Sequence, residues 1–448
     1  AAFGAKARKP FVLILFERMH PAPWIRFSSI FVPARCLSER FDVPENASAH
    51  VSSFHVVNLG CKVNRVESDD FAAALLAQGA LATEEGSADL IIVNTCTVTG
   101  EAEKKTRKAV RGALRANERA RVIVTGCAAA IDPEAFEAMD GRVQVVPKGA
   151  MAALLAPEGA TFEPHGPTPS LRVGDEFPTR VGIKVQDGCN NACTYCIVHV
   201  ARGRAWSRPA DEIIAEAVGL AQAGVREIVL TGINLGSYGF EGMTLADLLR
   251  RLLDATDDGV RFRISSVEPR DVHDDLIELM AQADGRICRH LHLPLQSGSP
   301  KVLKEMARPY KADYYKELVD KLYAAMPMLS LSTDVIVGFP GETEEDFQET
   351  LAMARYCRFS KMHTFRYSMR EGTPAARRSD QVAPEAKADR AKRLEELERH
   401  LREADRAQRA GTVELALVET DGVATTESYY AVDAPHGASV GALVEFRL

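Results

Sequence analysis

The chain has 448 residues, enough for two or three domains of ordinary size. Hydrophobic residues make up 46% and charged residues 26%, which excludes a disordered chain, and no apolar run reaches the length of a membrane-spanning helix. The net charge of −7 excludes a generic polyanion binder, so any nucleic-acid site must be a local basic patch.

The nine cysteines are too few for a disulfide scaffold in a chain of this size. They predict reduced thiols in a cytoplasmic protein, with metal binding or redox chemistry as the functions to consider.

Residues 1–50 differ in composition from the rest of the chain, with seven Lys or Arg, four Asp or Glu and scattered prolines. Their one short apolar stretch lacks the flanks of a secretory signal. We expect a disordered leader or an over-extended gene start here, rather than a targeting peptide, and assign the segment no function.

From residue 54, short β-branched runs alternate with helical segments. The runs cover 54–59, 90–93 and 122–125, and each ends in a turn rich in Gly, Asn or Thr. This alternation predicts a small parallel α/β domain over residues 51–150. A stretch rich in proline and glycine follows, so we expect a linker over 151–178.

A second series of strands and helices begins near residue 179. The predicted strands are 181–186, 226–231, 261–265, 290–295, 332–337 and 362–367. Six βα units are too few for a closed eight-fold barrel, so residues 179–384 are expected to form a partial, open (βα)6 barrel. A linking amphipathic helix over 385–410 and a small all-β module over 411–448 complete the predicted α/β architecture.

Three cysteines of the first domain each follow a predicted strand. Cys61, Cys96 and Cys127 are separated by 35 and 31 residues, which is the length of one βα unit. Because the carboxyl ends of parallel strands meet at one edge of the sheet, we expect these thiols to lie together and to bind an iron–sulfur cluster with one open iron. The alternative is three buried structural cysteines. Cys36, Cys288 and Cys357 show no such pattern and are assigned to the core or to no role.

Three more cysteines lie close together after the first predicted barrel strand. Cys189, Cys193 and Cys196 have the spacing C-x3-C-x2-C, which suits three irons of a 4Fe–4S cluster and leaves the fourth iron open. A zinc site completed by His199 is the alternative. The position at the carboxyl end of a barrel strand favours the cluster, because chemistry in such folds is concentrated there.

Several motifs together resemble one family. They are CNNACTYC (189–196), NLGCKVN (58–64), NTCTVT (94–99), HLPLQSGS (292–299) and VGFPGET (337–343). From about residue 54 to its end, the chain resembles the radical S-adenosylmethionine (SAM) methylthiotransferases. The segments GCKVN (60–64), LTGINLGSYG (230–239) and SSVEP (265–269) are most similar to the branch that acts on threonylcarbamoyladenosine in tRNA. One departure is His199, where the family usually has proline; we expect it to face solvent.

The resemblance implies two 4Fe–4S clusters and SAM as cofactors, with a low-potential flavodoxin or ferredoxin as electron donor. Cys189, Cys193 and Cys196 would hold the cluster that cleaves SAM, and Cys61, Cys96 and Cys127 the auxiliary cluster that delivers sulfur. The expected SAM-binding residues are Tyr195, Thr231, Gly232, Asn234, Ser265, Glu268, Gln296, Ser297 and Gly338. The substrate would be C2 of the modified adenosine next to the anticodon, and the C-terminal module would resemble a short RNA-binding TRAM domain. The protein is expected to be a monomer.

A tRNA partner requires a basic surface, and residues 101–121 contain eight Lys or Arg and three acids. The candidate phosphate contacts fall at helical spacing on one predicted face and are Lys104, Lys108, Arg111, Arg115 and Arg119. An ordinary solvated helix face explains the same pattern equally well.

Four other functions remain at this point. The same chemistry could act on isopentenyladenosine in tRNA or on an aspartate of a ribosomal protein. A cobalamin-dependent radical enzyme would be expected to carry an Asp-x-His-x-x-Gly motif, which the sequence lacks. A non-catalytic RNA-binding iron–sulfur protein would bind clusters without cleaving SAM.

Overall fold

The computed structural model describes residues 51–97, 100–155, 178–420 and 422–448. The expected leader 1–50, most of the expected linker (156–177) and positions 98–99 of the NTCTVT motif lie outside the described residues. None of the helices in the described ranges combines the length and the hydropathy needed to cross a membrane.

The N-terminal domain is a five-stranded parallel sheet flanked by helices. Its strands are β1 (Ser53–Asn58), β2 (Leu81–Ala82), β3 (Leu90–Thr95), β4 (Arg121–Gly126) and β5 (Val143–Val145). Its helices are α1 (Lys62–Ala77), α2 (Gly100–Ala116), α3 (Cys127–Ile131), α4 (Pro133–Glu137) and α5 (Lys148–Leu155).

The strand order is β2-β1-β3-β4-β5, with the central strand β3 fully buried. Such continuous apolar burial is typical of a parallel sheet covered on both faces. Helix α5 crosses the expected domain boundary at residue 150, because Met151 and Leu155 pack into the core beneath α1. The first domain therefore includes residues that the sequence assigned to the linker.

The second domain contains six parallel strands in barrel order and a short antiparallel pair of strands. Its strands are β6 (Arg180–Lys184), β7 (Gln186–Asp187), β8 (Trp206–Ser207), β9 (Glu227–Thr231), β10 (Arg261–Ile264), β11 (His290–His292), β12 (Ser330–Val337) and β13 (Lys361–Arg366). Its helices are α6 (Val198–Arg202), α7 (Ala210–Gln222), α8 (Leu245–Ala255), α9 (Asp274–Gln282), α10 (Pro300–Glu305), α11 (Ala312–Ala325) and α12 (Glu344–Cys357).

The barrel consists of two three-stranded sheets, β6-β9-β10 and β11-β12-β13, joined by the isolated bridges Phe262–Ile287 and Ser266–His292. Among the described strands β6 does not pair with β13, so the barrel is open along that side. The prediction of a partial six-unit barrel is confirmed. Cys288 and Cys357 are completely buried in this domain.

The long helix α13 (Pro384–Gln408) leads from the barrel to an antiparallel sheet of order β16-β15-β14-β17. Its strands are β14 (Val413–Thr420), β15 (Val423–Thr426), β16 (Ala431–Asp433) and β17 (Leu443–Arg447). The small all-β module is thus confirmed, although the sequence reading missed β15, whose Gly422 turn makes a hairpin with β14.

Candidate active site

The ends of β1, β3 and β4 place three cysteines on the carboxyl edge of the first sheet. Cys61 directly precedes α1, Cys96 follows β3, and Cys127 is the first residue of α3. Gly126, at φ +96°, lies so close to β3 that an added Cβ would come within 2.5 Å of the Thr95 backbone. This close approach holds the end of β4, and therefore Cys127, against the end of β3.

A polar network beneath this edge fixes the turns. The Asn64 amide donates to Asn94 Oδ1 at 2.8 Å and to the Thr95 carbonyl at 3.0 Å. The Cys61 thiol donates to Asn64 Oδ1 at 3.3 Å. Cys61 is therefore tied through Asn64 to the end of β3.

The loop after β7 carries the other three cysteines. The amides of Asn191 and Val198 donate to the sulfur atoms of Cys189 and Cys196, both at 3.4 Å, and Arg308 Nη1 donates to Cys193 Sγ at 3.2 Å. Burial raises the pKa of the Cys196 thiol to about 11, so it stays protonated at neutral pH unless a metal cation binds it. Donors aimed at sulfur suit ligands that become thiolates.

The ligand spacing argues against a single zinc ion in this loop. The thiols of one zinc site would stand about 3.8 Å apart. Among the described residues, ligand atoms that all lie within 4.8 Å of one another occur at His292, Asp334 and His363, and at neither set of cysteines. His199 is exposed to solvent, as expected. The thiols of a 4Fe–4S cluster bind different irons and stand farther apart, so this arrangement favours a cluster over zinc.

Five expected SAM-binding residues follow the ends of β9 and β10. They are Thr231, Gly232, Asn234, Ser265 and Glu268. The Asn234 Oδ1 and Ser265 Oγ atoms are buried without a hydrogen-bond partner among the described residues, which fits a polar ligand at this edge. Gly232 packs against Gln186, whose Oε1 accepts from the Asn234 amide at 2.8 Å.

Other expected SAM-binding residues have protein partners instead. Both oxygens of Glu268 accept from Arg308 Nη2, at 2.6 and 2.8 Å. The Ser297 hydroxyl is fully buried against Thr350, and the Gly338 amide donates to Glu342. Ser297 and Gly338 do not line the cavity described next, and neither do the five residues at the ends of β9 and β10. The role of Ser297 and Gly338 toward SAM stays a prediction.

A cavity of about 140 Å³ opens beside the cysteine loop. It is lined by Tyr195, Cys196, Gln296, Asp334 and Arg370 together with neighbours on β12 and β13. Gln296 has φ +62°, a conformation rare outside glycine, and such strain is concentrated at functional sites. Arg370 donates to Glu103 at 2.8 Å, while its Nε and Nη2 groups are buried without a hydrogen-bond partner among the described residues. The cavity therefore contains a cation, Arg370, that uses only part of its hydrogen-bonding capacity. It lies beside Cys196, a candidate cluster ligand.

Comparison with known proteins agrees with this arrangement. Residues 53–147 match the uncharacterized protein family UPF0004, and residues 183–354 match the radical SAM superfamily. The chain is 41% identical over 359 residues to the threonylcarbamoyladenosine tRNA methylthiotransferase MtaB of Bacillus subtilis, covering 76% of this chain and 79% of the relative. The chain belongs to the radical SAM methylthiotransferase family.

Another relative carries a different enzyme name, and a solved structure shares the fold. The tRNA-2-methylthio-N(6)-dimethylallyladenosine synthase of Carboxydothermus hydrogenoformans is 37% identical over 393 residues, covering 82% of this chain and 88% of the relative. Among solved structures, the radical SAM methyltransferase TsrM from Kitasatospora setae aligns with a TM-score of 0.54 and 16% identity, covering 72% of this chain and 77% of TsrM. That likeness concerns the fold alone.

The basic stripe of this methylthiotransferase lies on α2. Lys104, Lys108, Arg111 and Arg115 are exposed on the helix. The prediction that Arg119 continues the same face is wrong, because α2 ends at Ala116. The Asn117 side chain then accepts from the Arg119 amide and turns the chain toward β4.

Sequence reasoning missed the arginines that surround the cysteines. Arg202, Arg308 and Arg370 each contact a candidate ligand or line the cavity beside it. Arg202 could have been found from its position six residues after Cys196. Arg308 and Arg370 are distant in sequence from every cysteine of the site, and only the fold brings them there.

Proposed function

We propose that this protein adds a methylthio group to C2 of N6-threonylcarbamoyladenosine next to the anticodon of tRNA. Cys189, Cys193 and Cys196 hold the cluster that faces SAM. Cys61, Cys96 and Cys127 hold the auxiliary cluster. When bound, the two clusters supply the electron that cleaves SAM and the sulfur that is inserted.

One observation carries the proposal: the two cysteine sets lie across a single domain interface. Helix α6 begins two residues after Cys196 and ends at Arg202, whose Nε donates to Cys127 Sγ at 3.3 Å. A substrate atom in this interface is within reach of both sets, as a reaction that combines radical formation with sulfur insertion requires.

The protein's own groups orient SAM and shield the reaction. Asn234 and Ser265 offer unpaired polar atoms at the strand ends, and Tyr195, Thr231, Gly232 and Gln296 complete the proposed SAM contacts, with Glu268 acting through Arg308. The ion pair of Arg370 with Glu103 joins the first domain to the barrel beside the cavity.

The Arg370 guanidinium at the cavity favours a threonylcarbamoyl substrate over a dimethylallyl one. The threonylcarbamoyl group ends in a carboxylate, whereas the dimethylallyl group is wholly apolar. Nε and Nη2 of Arg370, which have no hydrogen-bond partner among the described residues, suit a carboxylate, because guanidinium binds such groups through two parallel hydrogen bonds.

The test is anaerobic turnover with reconstituted protein, SAM and reductant. One tRNA carries threonylcarbamoyladenosine and the other isopentenyladenosine, and the digested nucleosides are weighed. We expect the methylthio mass on the threonylcarbamoyl nucleoside alone. A methylthio mass on the isopentenyl nucleoside alone would overturn the substrate assignment. Formation of 5′-deoxyadenosine with no gain on either tRNA would point to another substrate, such as a protein aspartate.

The cluster assignment has its own measurement. Cys127→Ala should bind about four irons where the unaltered chain binds about eight, and should still cleave SAM without methylthiolation. Cys357→Ala is the matched control, since it removes a buried thiol far from both sets and should keep all the iron. An iron content of the Cys127→Ala variant equal to that of the unaltered chain would contradict the assignment.

The partners beyond tRNA follow from the family resemblance. A flavodoxin or ferredoxin donor, a monomeric state and a cytoplasmic location remain predictions.

A further inference from the structure

Arg202 occupies an unusual position between the two cysteine sets. Its side chain is only 1% exposed, and its guanidinium donates to four groups on two domains. Nε donates to Cys127 Sγ at 3.3 Å, Nη1 to Asp187 at 2.9 Å and to Glu67 at 3.1 Å. Nη2 donates to Asn64 Oδ1 at 3.1 Å, the same oxygen that accepts from the Cys61 thiol.

The charges around Arg202 do not cancel. Lys184 and Lys148 also bind Glu67, at 3.3 and 2.7 Å, and Lys184 binds Asp187 at 3.2 Å. Among the described residues the group thus has three cations and two carboxylates, so one positive charge is left over in a largely buried place. Burial of an uncompensated charge is costly, so the excess favours an anion at the neighbouring thiols.

We propose that Arg202 is a positioning residue for the auxiliary cluster and raises its reduction potential. A charge-assisted N–H···S bond to a ligating thiolate stabilises the more negative, reduced form of a cluster, and so does a nearby buried cation. Because Arg202 also ends the helix that follows Cys196, the same side chain sets the separation of the two cysteine sets.

This inference rests on the proposed auxiliary ligands, and the experiment separates the two. The full chain carrying Cys189→Ala, Cys193→Ala and Cys196→Ala retains the auxiliary site alone. Its reduction is followed by electron paramagnetic resonance during a potential titration. A missing cluster signal in this parent would overturn the ligand assignment and the inference with it.

Added to that parent, Arg202→Met removes the donor and the charge. At the parent's midpoint potential, we expect the ratio of reduced to oxidised cluster to fall about tenfold, which is a 59 mV shift for one electron. Glu67→Gln removes a neighbouring negative charge and should shift the ratio the opposite way. Arg202→Lys keeps the charge on a different donor. Its ratio of reduced to oxidised cluster should lie between those of Arg202→Met and the parent.

The matched control is Arg409→Met, which removes another guanidinium that is 2% exposed and pairs with Asp405 and Glu414, outside the group around Arg202. Its potential should equal that of the parent. An unchanged potential in Arg202→Met would overturn the proposal. Shifts of the same sign in Arg202→Met and Glu67→Gln would do so too, because general loosening of the interface, not charge, would then be the cause.

Discussion

At the scale of single residues, the site depends on arginines that each serve two neighbours. Arg308 contacts Cys193 and holds Glu268 through both carboxylate oxygens. Arg370 joins the first domain through Glu103, and its Nε and Nη2 have no hydrogen-bond partner in the described part of the chain. Such residues connect the cluster ligands to the rest of the fold, so their loss affects binding and packing together.

Arg370→Gln tests the role of the cavity cation. We expect kcat/KM for threonylcarbamoyladenosine tRNA to fall about 100-fold, because truncating one partner of a buried charged pair costs about 2 kcal/mol or more. Formation of 5′-deoxyadenosine without tRNA should change little. Glu103→Gln is the control, since it removes the domain contact and leaves the guanidinium. If Glu103→Gln lowered kcat/KM as much, the role of Arg370 would be structural.

At the scale of elements, β9 and β10 are tied to the C-terminal module by a buried carboxylate. Glu227 is fully buried and binds Arg261, Arg263 and Arg180 at 2.5 to 2.7 Å. The other donors of Arg261 and Arg263 reach the carbonyls of Leu415 and Glu427, at 2.7 and 2.6 Å. Burial alone would raise the pKa of Glu227, but the three arginines outweigh it and hold the pKa well below its ordinary value of 4.5.

This pKa gives a pH dependence with a definite sign. A lowered pKa in the folded state contributes stability above pH 4.5, and that stability is lost as the pH falls toward the folded value. We expect the unfolding free energy, from denaturant titrations, to decrease steadily below pH 4.5. Glu227→Gln should lower it by about 3 kcal/mol at pH 7, since three arginines lose their charged partner. Its slope below pH 4.5 should be shallower; an equal slope would mean that other carboxylates, Glu67 among them, dominate.

At the scale of the whole molecule, the alternation of strands and helices was enough to predict both α/β domains and the edge that gathers each set of cysteines. The spacing of Cys61, Cys96 and Cys127 placed them correctly because strand ends are local features. Contacts such as Arg308 with Cys193 join residues 115 positions apart. Hydrophobic periodicity carries no information about contacts between residues so far apart in sequence, so these contacts could not be predicted. The prediction for Arg119 was wrong for a local reason. The chain turns at Asn117, and helix propensity does not locate that turn.

Because the net charge of the chain is −7, tRNA binding must depend on a local basic surface. Reversing Lys108, Arg111 and Arg115 to Glu should weaken tRNA binding at least tenfold at low salt and reduce its salt dependence, with both clusters intact. A matched control reverses three exposed basic residues of α13, Lys392, Arg399 and Arg406. Equal weakening by both sets would indicate unspecific attraction, and no weakening by the first would remove α2 from the interface.

The contacts of Arg261 and Arg263 with the last module have a consequence for synthesis on the ribosome. Arg261 precedes Leu415, whose carbonyl it binds, by 154 residues. The barrel emerges first and can fold as a unit, yet it carries these arginines without their final acceptors until the end of the chain arrives. Nascent chains stalled before residue 415 should therefore hold a barrel more open to proteases at β10 than the finished protein.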